Sequence, residues 1–314
     1  MLERFQEQIP QGTIRVDGSH LPGGMPADWQ FQARTDGRGY MELYRVFPGV
    51  TASFNAYAAE GASFRHDEIP TVLEIHYCRA GRIGWKMQGD RAVYLGAGDL
   101  TVHSMSCCAD SVMTFPIGGA ESVALTVDLE RLEADCPAIL RESGFQVRLL
   151  REKYCCGRPI AIPACEELTW IFAPLCAAPA ELRQPYLQPK AQELLLYLSR
   201  LPAGGQELTQ YVSRQTERIQ EIHDLLTERL DRRYTIEELS RRYLMNSSSL
   251  KKLFKAVYGL PIATYMKEYR IHQAMRLLRE TDSSIADIAA QVGYESQGKF
   301  TQAFKDVAQV LPTI

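Results

Sequence analysis

Residues 283–300 read SSIADIAAQVGYESQGKF and interrupt a helical pattern at a glycine. The apolar residues before the break recur at helical spacing and are Ile285, Ile288, Ala289 and Val292. Gly293 suits a sharp reversal, because glycine tolerates the positive φ that such turns often demand. The pattern restarts near Gln297, and its apolar positions are Phe300, Ala303, Phe304 and Val307. The stretch therefore predicts two short helices packed across a tight turn.

The same pattern occurs about fifty residues earlier. Residues 235–243, TIEELSRRY, place apolar residues on one helical face, and the segment LMN supplies a turn. Residues 247–259, SSSLKKLFKAVYG, open with serines suited to an N-cap. Leu250 and Phe300 occupy equivalent places in the two copies. The end of the chain is therefore predicted to hold two helix-turn-helix units.

A longer helix is predicted between the two units, over residues 261–281, PIATYMKEYRIHQAMRLLRET. Pro261 fits the start of this helix. A helix of roughly 19 residues is about 28 Å long, at about 1.5 Å per residue. Successive major-groove faces on one side of B-DNA lie about 34 Å apart. This length predicts that the second helices of both units can contact one side of a duplex.

Charge is distributed unevenly along the chain. Residues 231–314 carry 13 Lys and Arg against 9 Asp and Glu, a net charge of +4. The totals for the chain are 35 and 38, so residues 1–230 hold 22 basic and 29 acidic residues, a net charge of −7. A basic end on an acidic body favours a polyanion partner, although charge alone is a weak indication.

Residues 40–127 are predicted to be mostly β-strands. Short β-branched and aromatic runs, such as residues 71–78, TVLEIHYC, are cut by Gly, Pro and Asp. This punctuation predicts an antiparallel barrel or sandwich. From Asp128, a suitable N-cap, the spacing becomes helical. One later stripe fits either a core face or a subunit interface, and it consists of Ala191, Leu194, Leu195 and Leu198.

A linker is predicted at residues 202–210, PAGGQELTQ, from their Pro and Gly content. The chain has no apolar run of about 18 residues and no secretory signal at its start, so no membrane contact and a cytoplasmic location are expected. Its eight cysteines include no C-x-x-C pair and stand at positions 78, 107, 108, 136, 155, 156, 165 and 176. Reduced structural thiols are favoured over a thiol redox sensor.

The C-terminal region resembles the DNA-binding domain of the AraC/XylS family of bacterial transcription regulators. The matching segments are residues 250–278, LKKLFKAVYGLPIATYMKEYRIHQAMRLL, and residues 283–305, SSIADIAAQVGYESQGKFTQAFK. The resemblance implies a sequence-specific DNA-binding regulator whose activity responds to a small molecule. It also implies that Arg270 ties the connecting helix to a neighbouring unit.

Three departures from the family pattern leave an alternative open. Gly298 and Lys299 stand where members usually carry Ser and an aromatic residue, and Gln309 stands where glycine is common. Glycine early in a helix costs about 0.5–1 kcal/mol against alanine, so the last helix is predicted to be looser than usual. The sequence also stops at PTI, before the Tyr-Arg pair that often closes the motif. The modest net charge of +4 and the missing end motivate the alternative, an adaptor protein that does not itself bind DNA.

Residues opposite the apolar stripe of each second helix are the predicted DNA contacts. In the first unit they are Ser248, Ser249, Lys251, Lys252 and Lys255, and in the second unit Gln297, Lys299, Thr301, Gln302 and Lys305. Ser, Thr and Gln can bond base edges, with Gln suited to adenine, whereas Lys mostly attracts phosphate.

The β-rich segment resembles the cupin-like barrel at the N-terminus of many of these regulators, through residues 94–104, YLGAGDLTVHS. A barrel of this kind can hold one small molecule. The predicted lining residues are Tyr44, His76, Arg79, Trp85 and Tyr94. His76 shares one strand face with Glu74 and Cys78, and the sequence does not decide whether that face points inward.

A cupin-type metal-dependent enzyme is the second alternative. Such an enzyme would need a clustered His-x-His, a Glu and a further His, whereas His66, His76 and His103 are scattered with no such pair. No metal site, no catalytic residue and no cofactor are therefore predicted, and the protein is not expected to be an enzyme.

The predicted fold class is α+β and multidomain. Residues 1–205 are expected to form a cupin-like antiparallel β-barrel with following helices, for effector binding and dimerisation. Residues 206–230 are expected to form a linker and lead-in helix, and residues 231–314 an all-α DNA-binding domain. The expected partners are double-stranded DNA, an unknown small-molecule effector and a second copy in a homodimer, because paired half-sites favour two-fold proteins. Helices near residues 165–200 are the predicted dimer surface.

Overall fold

The chain forms two compact units, Met1–Val212 and Ser213–Ile314, in a computed structural model. The structure describes residues 8–21, 32–87, 90–202 and 207–313. The predicted domain boundary at residue 205 lies outside the described residues. The C-terminal unit begins at Ser213.

Thirteen strands lie in the described part of the N-terminal unit. They are β1 (Thr13–His20), β2 (Gln32–Thr35), β3 (Arg38–Phe47), β4 (Val50–Ala58), β5 (Gly61–Arg65), β6 (Val72–Gly81), β7 (Ile83–Met87), β8 (Arg91–Leu95), β9 (Leu100–Ser104), β10 (Asp110–Thr114), β11 (Ala120–Asp128), β12 (Ile160–Ile162) and β13 (Tyr211–Val212). One sheet has the order β1-β3-β4-β11-β6-β9-β12, and the other has the order β13-β8-β7-β10-β5-β2. β1 pairs with β3 in parallel.

The prediction of a largely antiparallel, strand-rich N-terminal domain followed by helices is confirmed, but the closed barrel was wrong. Within the described residues the strands form two open sheets, and the strands of each sheet pair only with one another. Side chains rather than main-chain hydrogen bonds therefore hold the two layers together. His76 of β6 meets Trp85 of β7 edge to face across the gap, with ring centroids 4.9 Å apart.

Five α-helices lie in the described part of the N-terminal unit. They are α1 (Leu129–Ala134), α2 (Ala138–Glu142), α3 (Val147–Tyr154), α4 (Glu166–Ala177) and α5 (Ala180–Arg200). Asp128 caps α1, because its carboxylate accepts hydrogen bonds from the backbone N–H groups of Glu130 and Arg131, each at 3.0 Å. The change from strand to helix at Asp128 is therefore fixed by a side chain that the sequence identifies.

These helices cover the outer face of the seven-stranded sheet. Tyr77 of β6 stacks on Phe172 of α4, with ring centroids 4.0 Å apart. The apolar stripe of α5 is buried in the same core and consists of Ala191, Leu194, Leu195 and Leu198. Burying each leucine stabilises the fold by about 1.5–3 kcal/mol. The stripe is thus a core face and not a subunit interface.

The alternating directions of successive side chains along β6 show which face of the strand points between the sheets. Leu73, Ile75 and Tyr77 belong to the core under the helices. Successive side chains of a strand point to opposite faces. Glu74 and His76 therefore point into the space between the two sheets, and both line the cavity there.

Six α-helices lie within residues 213–313, the described part of the C-terminal unit. They are α6 (Ser213–Glu228), α7 (Ile236–Arg242), α8 (Ser247–Tyr258), α9 (Ile262–Glu280), α10 (Ile285–Gln291) and α11 (Gln297–Ala308). α6, which the sequence placed in the lead-in segment, packs against α8 and buries Ile219, Ile222 and Leu226. It is therefore part of the compact C-terminal unit.

Both helix-turn-helix units are held by N-caps. Thr235 and Glu238 form a reciprocal capping box at the start of α7, and Ser284 caps α10. Ser296 caps α11. At α8 the cap is Asn246, whose side-chain oxygen accepts from the backbone N–H of Ser249 at 2.9 Å. The expectation of a serine cap there was wrong, because the asparagine one residue earlier takes that role.

The two turns are equivalent but differ by one residue in length. The first helices begin at Ile236 and Ile285, whereas the second helices begin at Ser247 and Gln297. Each turn contains a residue with positive φ, Leu244 at 51° and Gly293 at 81°. The first unit therefore forces a leucine into a conformation that the second unit gives to glycine.

No helix in the described parts of the chain is both long enough and apolar enough to cross a membrane. All eight cysteines are free thiols. Cys78, Cys107 and Cys108 are buried, and Cys156 is exposed.

Candidate functional site

A cavity of about 930 Å³ lies between the two sheets of the N-terminal unit. Its apolar lining includes Phe47, Val50, Tyr57, Phe64, Ile69, Val72, Met105 and Met113. Its polar lining includes Ser53, Asn55, His66, Glu74, His76, Cys108 and Ser111. The volume and the mixed lining suit a small molecule with an apolar body and several polar groups.

Two of the five predicted lining residues, His76 and Trp85, reach this cavity. Tyr44 is fully buried in the core instead, where its ring stacks on His20 with centroids 4.5 Å apart. Arg79 lies in a partly exposed ion pair with Glu121 at 2.8 Å.

The fifth predicted residue, Tyr94, is buried on β8, where its ring lies against Gly84. The structure therefore does not bring the five residues together. Residue type alone could not separate them, because aromatic and charged side chains occur on both faces of these strands.

Four buried polar atoms on the cavity wall have no hydrogen-bond partner among the described residues. They are Asn55 Oδ1, His76 Nδ1, Trp85 Nε1 and Ser111 Oγ. Each of these side chains belongs to a residue that is only 2% exposed. An unsatisfied buried polar group costs about 1–3 kcal/mol, so a ligand that bonds to these atoms would gain this free energy.

His76 is held in its neutral form. Burial lowers its pKa to about 4, although the Glu74 carboxylate opposes the shift. Its Nε2 lies 2.8 Å from Ser122 Oγ, and Asn55 donates to the same hydroxyl at 3.3 Å. The neutral imidazole can therefore offer Nδ1 to a ligand as a hydrogen-bonding atom.

A second group of side chains gathers on the same wall. Glu74, His103 and Cys108 each offer one donor atom, and these atoms all lie within 4.8 Å of one another. Burial raises the pKa of Glu74, but the hydrogen bond and charge of His103, with His76 and Cys108, bring it down to about 2. Sequence spacing missed this group because strand register, not proximity in the chain, assembles it.

The predicted DNA contacts occupy the outer faces of α8 and α11. Nine of the ten residues are exposed and Thr301 is partly buried. Leu250, Leu253 and Phe254 are buried on the opposite side of α8, as are Phe300 and Phe304 on α11. Both helices are amphipathic and present a polar face to solvent.

The outer face of α8 is basic. Lys251, Lys252 and Lys255 form no ion pair with any described residue. Ser248 and Ser249 lie in the first turn, where the positive end of the helix dipole favours phosphate. α8 can therefore attract a nucleic-acid backbone without breaking an internal bond.

The side chains on the outer face of α11 form more internal bonds than those on the outer face of α8. Lys299 pairs with Glu295 at 3.1 Å, and Gln302 donates to Asp306 at 2.7 Å. Asp306 also pairs with Lys267 of α9 at 2.7 Å. Hydrogen bonds from Lys267 and Gln302 hold the pKa of Asp306 below its usual range, so the carboxylate stays charged. Contacts to bases through Gln302 require this side-chain pair to open.

α9 separates the two helix-turn-helix units by a fixed length. It contains 19 residues, from Ile262 to Glu280. At about 1.5 Å per residue it spans about 28 Å. This is close to the spacing of about 34 Å between successive major-groove faces.

The C-terminal helix-turn-helix region is similar to domains of known proteins. Residues 239–314 match the family described as Helix-turn-helix domain. The HTH-type transcriptional regulator ExsA of Pseudomonas aeruginosa is 34% identical over 116 residues, which cover 37% of this chain and 42% of ExsA. Residues 239–314 of this chain form an AraC-type helix-turn-helix domain.

Other relatives match the same AraC-type domain. The virulence regulon transcriptional activator VirF of Yersinia enterocolitica is 31% identical over 118 residues, which cover 38% of this chain and 44% of VirF. The chain thus matches less than half of the length of these two curated relatives. The C-terminal domain of the two-component response regulator yesN from Fusobacterium nucleatum is 32% identical and covers 32% of this chain and 95% of that chain, with a TM-score of 0.29.

The departures of this chain from the AraC-type pattern have visible structural consequences. Gln309 ends α11 with a φ of 59°, the conformation that Gly259 adopts at the end of α8 with a φ of 85°. A left-handed residue other than glycine costs about 1–2 kcal/mol. Gly298 has no atom within 4 Å of the position a Cβ would take, so nothing in the packing requires glycine there.

Proposed function

We propose that this protein is a transcription regulator that binds DNA sequence-specifically through α8 and α11 and responds to a small molecule bound in the cavity. The observation that carries the proposal is the pair of N-capped helices, which expose polar and basic residues from one compact unit. The length of α9 supports contact with successive major grooves. The names of ExsA and VirF, a regulator and an activator, support the same role. A location in the bacterial cytoplasm is part of the proposal, and DNA as the partner supports it.

Two substitutions are expected to separate phosphate attraction from base recognition. Lys252→Ala should weaken binding to every duplex about equally and reduce the salt slope by about 0.9, because one phosphate contact is lost. Gln302→Ala should relax preference at one base pair, a loss of about 1–3 kcal/mol in discrimination. Gel-shift titrations on the protein's own promoter region and on a scrambled duplex, at several salt concentrations, measure both effects.

Arg148→Ala is the matched control for charge. Arg148 lies in the N-terminal unit, is exposed, and pairs with Glu152 at 3.8 Å, so its removal changes net charge by the same amount. It should leave both affinity and salt slope unchanged. Identical operator footprints for the wild type, Lys252→Ala and Gln302→Ala would reject the proposed contacts.

The cavity is proposed as the effector site. The four unpartnered polar atoms on its wall support a ligand with several hydrogen-bonding groups, and the aromatic and aliphatic lining supports an apolar body. A useful regulator needs a coupling free energy of about 1–3 kcal/mol between effector and DNA binding.

Ser111→Leu is expected to block the cavity without harming the fold. The Ser111 hydroxyl has no partner in the part of the chain that the structure describes, so its loss costs no hydrogen bond there, and the leucine side chain fills space that the ligand would use. Native mass spectrometry of the protein as isolated should show a bound small molecule in the wild type and none in this variant. Ser63→Leu, on an exposed position of β5, is the control and should retain the molecule. Equal retention by both variants would reject the cavity as the effector site.

Self-association is proposed through α4 and α5. These helices expose the large side chains of Trp170, Leu182 and Tyr186, and Trp170 is 62% exposed. Exposed aromatic residues are enriched where proteins associate. Sedimentation velocity on the full chain measures whether it forms the homodimer.

A further inference from the structure

We propose that Glu74, His103 and Cys108 bind a divalent transition metal ion of the zinc class on the cavity wall, with a fourth coordination position facing the cavity. Side chains on the cavity wall provide the support for this metal site. It holds whether or not the protein binds DNA, and only its regulatory consequence rests on the proposed function.

Strand register brings the three ligands together. Glu74 of β6 lies directly opposite His103 of β9 in the antiparallel ladder. The single helical turn Met105–Cys107 follows β9 at once and returns Cys108 to the same wall. Glu74 Oε2 lies 3.3 Å from Cys108 Sγ and 3.4 Å from His103 Nε2.

These separations fit one tetrahedral ion. Zinc lies about 2.0–2.2 Å from nitrogen and oxygen ligands and about 2.3 Å from sulfur, so tetrahedral ligand atoms are separated by roughly 3.3–3.7 Å. The two measured distances fall within that range. The third separation, between the donor atoms of His103 and Cys108, is at most 4.8 Å.

His103 is already prepared as a ligand. It is fully buried, and its Nε2 faces the Glu74 carboxylate at 3.4 Å. Its other nitrogen, Nδ1, lies 3.2 Å from Thr101 Oγ1. A hydrogen bond at the far nitrogen fixes ring orientation and tautomer in metal-binding histidines.

His66 holds the thiol of Cys108 from the opposite side. Its Nδ1 lies 2.8 Å from the carbonyl oxygen of Asp67, which only accepts, so Nδ1 carries the proton. Its Nε2 is then an acceptor and lies 3.5 Å from Cys108 Sγ. His66 therefore accepts from the S–H group of Cys108, and we assign it as a positioning residue for the Cys108 side chain.

The donor set selects the class of metal. One imidazole, one thiolate and one carboxylate suit zinc and its neighbours, whereas magnesium and calcium prefer oxygen ligands alone. Three protein ligands with an open fourth position are typical of sites that take water or a further ligand. Because Glu74 and Cys108 line the cavity, a donor atom of an effector can occupy that position.

Cobalt titration of the full-length chain tests the site, because a Co²⁺–thiolate bond gives a charge-transfer band in the near ultraviolet. We expect this band in the wild type, with zinc displacing cobalt. Cys108→Ser should abolish the band and weaken zinc binding at least about 100-fold, since losing a residue that only hydrogen-bonds to a ligand already costs about 10–100-fold.

Cys107→Ser is the matched control. Cys107 is also buried, but its Sγ faces Ser104 Oγ at 3.6 Å rather than the cluster. This variant should keep the band and the affinity. His66→Ala, at a partly exposed position, should keep the band and weaken zinc binding about 10-fold.

Three outcomes would overturn the proposal. They are the absence of a charge-transfer band in the wild type, survival of the band in Cys108→Ser, and equal loss of the band in Cys107→Ser. Glu74→Gln, which keeps the size of the side chain, should also weaken zinc binding and gives a second test if Cys108→Ser fails to fold. Lys252→Ala should bind zinc normally, so failure of the DNA-binding proposal is distinguishable from failure of the metal site.

Discussion

Gly293→Ala is expected to unfold the C-terminal unit at temperatures where the wild type is intact. Gly293 has a φ of 81°, and an alanine there costs about 1–2 kcal/mol for the conformation alone. The added Cβ would also overlap the backbone carbonyl oxygen of Leu230, which cannot swing away as a side chain can. The total loss in the free energy of unfolding should be about 3–5 kcal/mol.

Such a loss should be visible in a thermal melt of the full chain. For a unit of this size, about 1 kcal/mol shifts the transition by about 4–8 °C, so the C-terminal transition should fall by more than about 10 °C. DNA binding in gel shifts should be lost at the same temperature.

Gly298→Ala is the control for Gly293→Ala, and it has the opposite sign. A Cβ at Gly298 meets open space, and alanine is the better helix former, so stability should rise by about 0.5–1 kcal/mol. Equal melting temperatures for the two variants would contradict the role given to the turn.

The sequence predicted the C-terminal unit well because its architecture depends on local patterns. The spacing of Ile288, Val292, Phe300 and Phe304 defines both the helices and their buried faces. The choice of Asn246 over the neighbouring serines as a cap could not be predicted, because all of these residue types cap helices well.

The cavity was less predictable because it depends on pairing between distant strands. The sequence placed Glu74, His76 and Cys78 on one face of β6, but only the helices packed on Leu73, Ile75 and Tyr77 show that this face points inward. The pairing of Glu74 with His103 depends on a register between strands that lie far apart in the chain. A one-residue shift would point His103 to the opposite face, so no spacing rule could identify the cluster.

Arg270 connects the two halves of the C-terminal unit. It lies on α9, is 8% exposed, and donates to the backbone carbonyl oxygens of Leu230 and Arg232, each at 3.1 Å. Leu230 is the residue whose carbonyl also lies against Gly293. The guanidinium therefore fixes the segment before the first helix-turn-helix unit against the turn of the second helix-turn-helix unit, as the family resemblance implied.

Arg270→Ala is expected to lower the free energy of unfolding of the C-terminal unit by about 3–5 kcal/mol, measured by chemical denaturation of the full chain. The variant leaves two carbonyl groups without their charged donor, and each such loss costs about 1.5–3 kcal/mol. Arg270→Lys should recover only part of the loss, because both bonds come from Nη2 and the shorter lysine side chain cannot carry its ammonium fully to that position.

Arg276→Ala separates this specific effect from a loss of helix charge. Arg276 lies on the same helix, is exposed, and forms a pair with Glu280 at 3.8 Å, so its removal should change stability by less than about 0.5 kcal/mol. If the loss at Arg270 came from net charge, the two variants would behave alike and Arg270→Lys would restore the wild type. If the loss comes from the two carbonyl groups, Arg270→Ala should have a much lower free energy of unfolding than Arg276→Ala. The value for Arg270→Lys should then lie between those two.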